Sequence, residues 1–143
     1  MNHSEYHERR PTSVRILIAD EHTQFRKCVR ETLTGQDDFQ VIGETGSARD
    51  AVGMATSCRP EIAVVAVGGR ALDGLDLTER LSEAAPETAV IVISIHSDER
   101  YVQRALEVGA HAYVTKDEIA DFLIPEIRAA HEAMMCRSRH SEA

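Results

Sequence analysis

The chain has 143 residues, 43% of them hydrophobic and 28% charged, and a formal net charge of −8; one domain with its own core follows, and fibrous, repeat and low-complexity architectures are excluded. The acidic balance excludes general affinity for nucleic acid or an anionic membrane surface, which rests on Lys and Arg against phosphates. No apolar run is long enough to cross a bilayer, and residues 1–13 lack the apolar region of a signal peptide, so a cytoplasmic protein is expected.

Residues 1–13 read as a disordered polar extension. A first strand, 14–19, ends on the acids Asp20 and Glu21, and Phe25, Cys28, Val29 and Leu33 then recur at helical spacing. A second strand covers 39–44; Ser47 is placed to cap a helix whose Ala51, Ala55 and Cys58 share a face. The third strand, 62–67, is apolar throughout and carries Ala66 near its end, followed by Gly68, Gly69 and Arg70. Leu77, Leu81 and Ala84 mark a third helix, and 89–95 a fourth strand containing Ser94. Val102, Ala105 and Leu106 mark a fourth helix that Gly109 is placed to stop. The fifth strand, 112–115, holds Tyr113 and leads into Lys116; Leu123, Ile127, Ala130 and Met134 face one way on the last helix. Pro125 conflicts with that helix, because it removes a hydrogen bond to Asp121, so the helix is expected to start late or to kink. The domain is drawn at 14–136 and a polar tail at 137–143.

Alternating strands and helices build a parallel sheet covered on both faces, and the unbroken apolar runs of the third and fourth strands belong at its centre. The three cysteines are too far apart in sequence for a metal or redox motif and are expected as free thiols, Cys28 and Cys58 packed and Cys136 exposed. His96 and His111 are expected at the surface, and Gly68-Gly69 as a turn.

Asp20, Glu21, Ala66, Ser94 and Lys116 all fall at the carboxyl ends of strands, where open parallel sheets gather ligands and chemistry. Two neighbouring acids suit a magnesium ion that keeps several waters. A lysine and a serine hydroxyl suit phosphoryl oxygens, and a carboxylate between them would be the nucleophile of aspartyl-phosphate chemistry. Ala66 stands at that place, and a methyl group has no such chemistry.

The residues Arg15-Ile16-Leu17-Ile18-Ala19-Asp20-Glu21-His22, Arg59-Pro60-Glu61, Asp73-Gly74-Leu75, Val92-Ile93-Ser94-Ile95-His96 and Gly109-Ala110-His111-Ala112-Tyr113-Val114-Thr115-Lys116-Asp117 occur in telling order and spacing. On them the chain resembles the response-regulator receiver domains of the CheY-like superfamily, in the NarL/FixJ-type subclass. The resemblance spans about 14–135. It implies a flavodoxin-like, doubly wound α/β fold with five parallel strands in order 2-1-3-4-5 and five helices. It also implies that Asp20 and Glu21 match the metal-site acids, Ser94 and Tyr113 the switch pair, and Lys116 the phosphate-pairing lysine. Ala66 matches the phosphoacceptor aspartate, which this chain therefore lacks, and the loop 67–74 lacks the Met-Pro pair common in receivers.

The reading is a receiver-like domain of two-component (phosphorelay) signal transduction that is independent of phosphorylation. It is not an enzyme, keeps no resident cofactor, and forms a homodimer. Its expected partner is a histidine kinase, another response regulator or a transcription factor. Without a third carboxylate, Asp20 and Glu21 are expected to pair with Lys116, directly or through one water, in place of binding Mg2+. Arg70 is a second cation able to enter the pocket. Two alternatives stay open: a conventional phosphorelay receiver carrying an engineered acceptor mutation or using the displaced acid Asp73, and a receiver-like domain that senses a small molecule.

Overall fold

The computed structural model describes residues 13–68 and 73–142, with side chains through Arg137. In chain order the elements are β1 (Val14–Ala19), α1 (Thr23–Thr34), β2 (Phe39–Thr45), α2 (Ala48–Cys58), β3 (Ile62–Val67), α3 (Gly74–Ala84), β4 (Ala89–Ser94), α4 (Glu99–Glu107) and β5 (Ala112–Thr115). A 3-10 turn (Lys116–Glu118) and α5 (Ile119–Glu142) complete them. The five strands are all parallel, in order β2-β1-β3-β4-β5. This is the doubly wound arrangement that the sequence predicts, with β3 central and β2 at an edge.

The side-chain period of two sorts the strand residues into two cores. Ile16, Ile18, Ile62, Val64, Ile91 and Ile93 pack on one face against Val29 and Leu33 of α1 and Leu123, Ile127 and Ala130 of α5. Leu17, Ala19, Ala63, Val65, Val90 and Val92 pack on the other against Ala51, Ala55, Leu77, Leu81 and Ala105. Both faces are thus buried, which explains why β3 and β4 read as continuous apolar runs.

Helix ends follow local chemistry. Ser47 Oγ accepts from Asp50 N–H at the start of α2, as expected, and Asp73 Oδ1 accepts from Leu75 N–H and Asp76 N–H at the start of α3. Gly109, at φ +113°, follows the end of α4 as predicted. Pro125 lies inside α5, which begins six residues earlier at Ile119, so the late-start expectation does not hold. Pro125 and Asp121 both lie on the exposed side of the helix, where solvent is available to a carbonyl that lacks its helical bond. Residues 137–142 continue the same helix.

The packing expected of two cysteines is also corrected, since Cys28, Cys58 and Cys136 are all exposed. Val29 and Leu33 define the inward stripe of α1, which leaves Cys28 off it. Cys58 is the last residue of α2, beyond the buried pair Ala51 and Ala55. Ala84 and Leu106 are likewise exposed, beside the buried Ala85 and Ala105.

Candidate functional site

The candidate site lies at the carboxyl ends of β1, β3, β4 and β5. Ala19 pairs with Val65, so Asp20 and Ala66 follow side by side on neighbouring strands. Ala66 itself pairs with Ile93, and Val67 with Ser94; Ser94 in turn pairs with Thr115, next to Lys116. Parallel register therefore gathers Asp20, Ala66, Ser94 and Lys116 at one end of the sheet.

Asp20 is only 2% exposed. Its Oδ1 accepts from the backbone N–H of His22 at 2.9 Å and lies 3.4 Å from His22 Nδ1. Among the described residues nothing donates to its buried Oδ2. Such an acceptor suits a cation or a proton donor. The donor set nevertheless does not fit a dedicated magnesium site. Among the described residues no group of three His, Cys, Asp or Glu side chains stands close enough to hold a metal ion, and the third strand contributes only the Ala66 methyl.

Lys116 does not make the direct ion pair expected of it. Its ammonium sits 4.1 Å above the centroid of the Phe25 ring of α1, and no Lys116 pair with Asp20 or Glu21 occurs among the described residues. The ring face supplies electrostatic compensation to a half-buried cation without a carboxylate. Arg70 lies outside the described residues. Among the described residues, a cation that the sequence reading missed reaches the β1 end: Arg26. Its Nη1 donates to the Asp20 backbone carbonyl at 2.7 Å and its Nε to Glu44 Oε1 at 3.2 Å. Arg30 joins the same carboxylate at 2.8 Å. The Arg30 hydrogen bond, opposed by desolvation and aided by Arg26, holds the Glu44 carboxyl below its usual range. Arg26 lies one turn beyond His22, the residue that precedes α1, and its helical placement was the available signal.

Gly46 and Gly74 allow close approach here. A Cβ on Gly46 would come 3.1 Å from Arg26 Nη1, and one on Gly74 would meet the Ala66 carbonyl at 2.6 Å. The amino end of α3 thus rests on the end of β3 itself. Asp73, the displaced acid, is exposed and occupied as the cap of that helix.

Ser94 is fully buried, and its Oγ accepts from the His96 N–H at 3.0 Å. The half-buried Tyr113 donates its hydroxyl to the His96 carbonyl at 2.6 Å. The His96 ring stacks on Tyr101, with centroids 4.3 Å apart. His96 is therefore a junction holding the loop after β4 to β4, β5 and α4 at once, whereas His111 is exposed. Sequence reasoning did not assign His96 this role, because two of its three contacts come from backbone atoms.

A doubly wound sheet with an acidic strand end, a serine on β4 and a lysine after β5 defines the class of CheY-like signalling modules. Residues 16–128 match the response regulator receiver domain family, and the chain belongs to that family. It is 30% identical over 115 residues to the transcriptional regulatory protein DegU of Brevibacillus brevis, covering 80% of this chain and 49% of that one. The chain spans about half the length of the curated relatives it matches. Among solved structures, it resembles the signal receiver domain of NarL from Mycobacterium tuberculosis, at TM-score 0.74 and 24% identity, covering 87% of this chain and 98% of that one. A LuxR-family two-component response regulator from Aurantimonas sp. SI85-9A1 gives TM-score 0.80 at 22% identity, covering 85% and 86%. The chain is a response regulator receiver domain of two-component signalling. Among the described residues no helix is long and apolar enough to cross a membrane.

Proposed function

We propose that this receiver domain signals without aspartyl phosphorylation, by contact with another protein in the cytoplasm, and that it does so as a homodimer. The observation that carries the reading is Ala66, a methyl group on β3 directly beside the buried Asp20 and across from Ile93. A phosphoryl group transferred from a donor needs a carboxylate oxygen to form the new bond, and magnesium needs further hard ligands. Asp73, fixed as a helix cap, does not substitute. Neither catalysis nor a resident cofactor is part of the proposal.

The partner is a histidine kinase, a second response regulator or a transcription factor, reached through the outer helices rather than through chemistry at the pocket. The test is to add beryllofluoride with magnesium and record amide spectra, and to follow acetyl phosphate treatment by intact mass. Unchanged Ser94, Tyr113 and Lys116 resonances and no added phosphoryl mass are expected. A saturable shift of those three residues, or a base-labile phosphoryl adduct, overturns the proposal.

A further inference from the structure

At the amino ends of the strands, opposite the candidate site, a cleft of about 370 Å³ lies between the start of β1, the turn before β2 and the later turns of α5. Its apolar lining is Val14, Met135 and Cys136, and Met135 is 40% exposed. The cations of the cleft are already committed. Arg128 is held by both Asp38 oxygens, at 2.6 and 3.1 Å, and lies over the Phe39 ring, while His131 Nε2 lies 2.9 Å from Glu61 Oε2. Glu132, one turn beyond Arg128, lines the same cleft, is exposed, and makes no hydrogen bond or ion pair among the described residues. An apolar wall beside a carboxylate without a cation suits a guanidinium on a long aliphatic stem.

The chain itself supplies such a group at this place. Val14, the first residue of β1, lines the cleft, and its N–H donates to the Asp38 carbonyl at 2.7 Å, so residues 1–12 connect to the domain at the edge of the cleft. Arg9-Arg10-Pro11 stands three to five residues before Val14. Four residues span at most about 14 Å, which keeps the Arg10 side chain within range of Glu132 on the next element, and a residue before proline favours extended backbone. Tethering also decides between occupants. An arginine of another molecule competes at its solution concentration, whereas a short tether presents Arg9 and Arg10 at an effective concentration of about millimolar. A second copy, with a net charge of −8, is further disfavoured by repulsion.

We propose that the Arg9-Arg10 segment of this chain docks intramolecularly in the cleft, with a guanidinium on Glu132 and its aliphatic stem against Val14 and Met135. The amino-terminal arm then straps β1 to α5 and covers Cys136. The strap is independent of the reading that the domain signals without phosphorylation, since its residues lie at the far end of the sheet from Asp20 and Ala66.

Cys136 is a built-in probe of the strap. The full chain is treated with iodoacetamide, and alkylation of Cys136 is followed by peptide mass mapping with the exposed Cys58 of α2 as the internal reference. Arg9→Glu combined with Arg10→Glu should raise the Cys136 rate relative to Cys58 by about three- to tenfold, the range expected of two partly exposed ion pairs. Nearby cations favour the reactive thiolate, so losing the arginines without losing cover would slow alkylation instead. Adding Glu132→Lys to that variant should restore protection, although a new lysine alone would speed the reaction. Protection in the parent should be the same at every protein concentration and should weaken with salt. An unchanged or slower Cys136 rate in the arm variant, or no recovery with Glu132→Lys, overturns the proposal. Protection that fades on dilution means that a second copy covers the cleft, and the intramolecular strap is then wrong.

Discussion

Lys116 lies with its ammonium 4.1 Å over the ring of Phe25, so the lysine that closes β5 is held by an aromatic face of α1 rather than by the acids that close β1. The contact ties the two sides of the strand ends together without a shared anion. A double-mutant cycle of Phe25→Leu and Lys116→Met, followed by urea denaturation, should give a coupling of ~0.5–1 kcal/mol. Additive single effects would show that the stacked geometry contributes nothing to stability.

Substituting two glycines should be costly for different reasons. Gly74→Ala puts a methyl 2.6 Å from the Ala66 carbonyl, so α3 must move off the end of β3, at a cost of ~1–3 kcal/mol. Gly109→Ala combines a collision with Ser82 and a φ of +113°, and should cost ~2–4 kcal/mol. Equilibrium unfolding of the two variants measures both effects, and a midpoint equal to that of the parent contradicts either one.

Restoring an acid at Ala66 should give a metal-dependent stability that the parent lacks. Ala66→Asp places a second carboxylate beside the buried Asp20, and the uncompensated charge should destabilise the fold by ~3 kcal/mol in chelator. Millimolar Mg2+ should recover part of the loss by binding only the folded state. Thermal melts with EDTA and with Mg2+ test this directly; identical melts of the variant in the two conditions would count against it.

Acid should weaken the link from α1 to β2. The Glu44 carboxyl is held below its usual range chiefly by the Arg30 hydrogen bond, with Arg26 adding to it. A depressed folded-state pKa means that its contribution is fully present above the unfolded carboxylate value, about 4.3, and is lost as pH falls through the folded value. The stability difference between the parent and Glu44→Gln should therefore be largest near neutrality and shrink as pH drops below about 4. Chemical denaturation across that range measures it, and a pH-independent difference would remove Glu44 from the acid response.

Much of this protein is legible before folding. Strand and helix periods are local properties, so β1 to β5, the caps at Ser47 and Gly109, and the buried Ile, Leu and Val stripes follow from spacing alone. The absence of a carboxylate at Ala66 is likewise a statement about covalent structure that no packing can alter. Tertiary structure decided where the charges went. Lys116 met Phe25 and Arg26 met the Asp20 carbonyl, because partner choice among half-buried cations depends on distances between elements far apart in sequence. The role of His96 was hidden for a related reason: its backbone N–H and carbonyl make the decisive bonds, and every residue type but proline carries both. Cys28 and Ala84 lie at the margins of their helical stripes, where a difference of one residue separates buried from exposed, and only the angle at which each helix meets the sheet settles the side on which they fall.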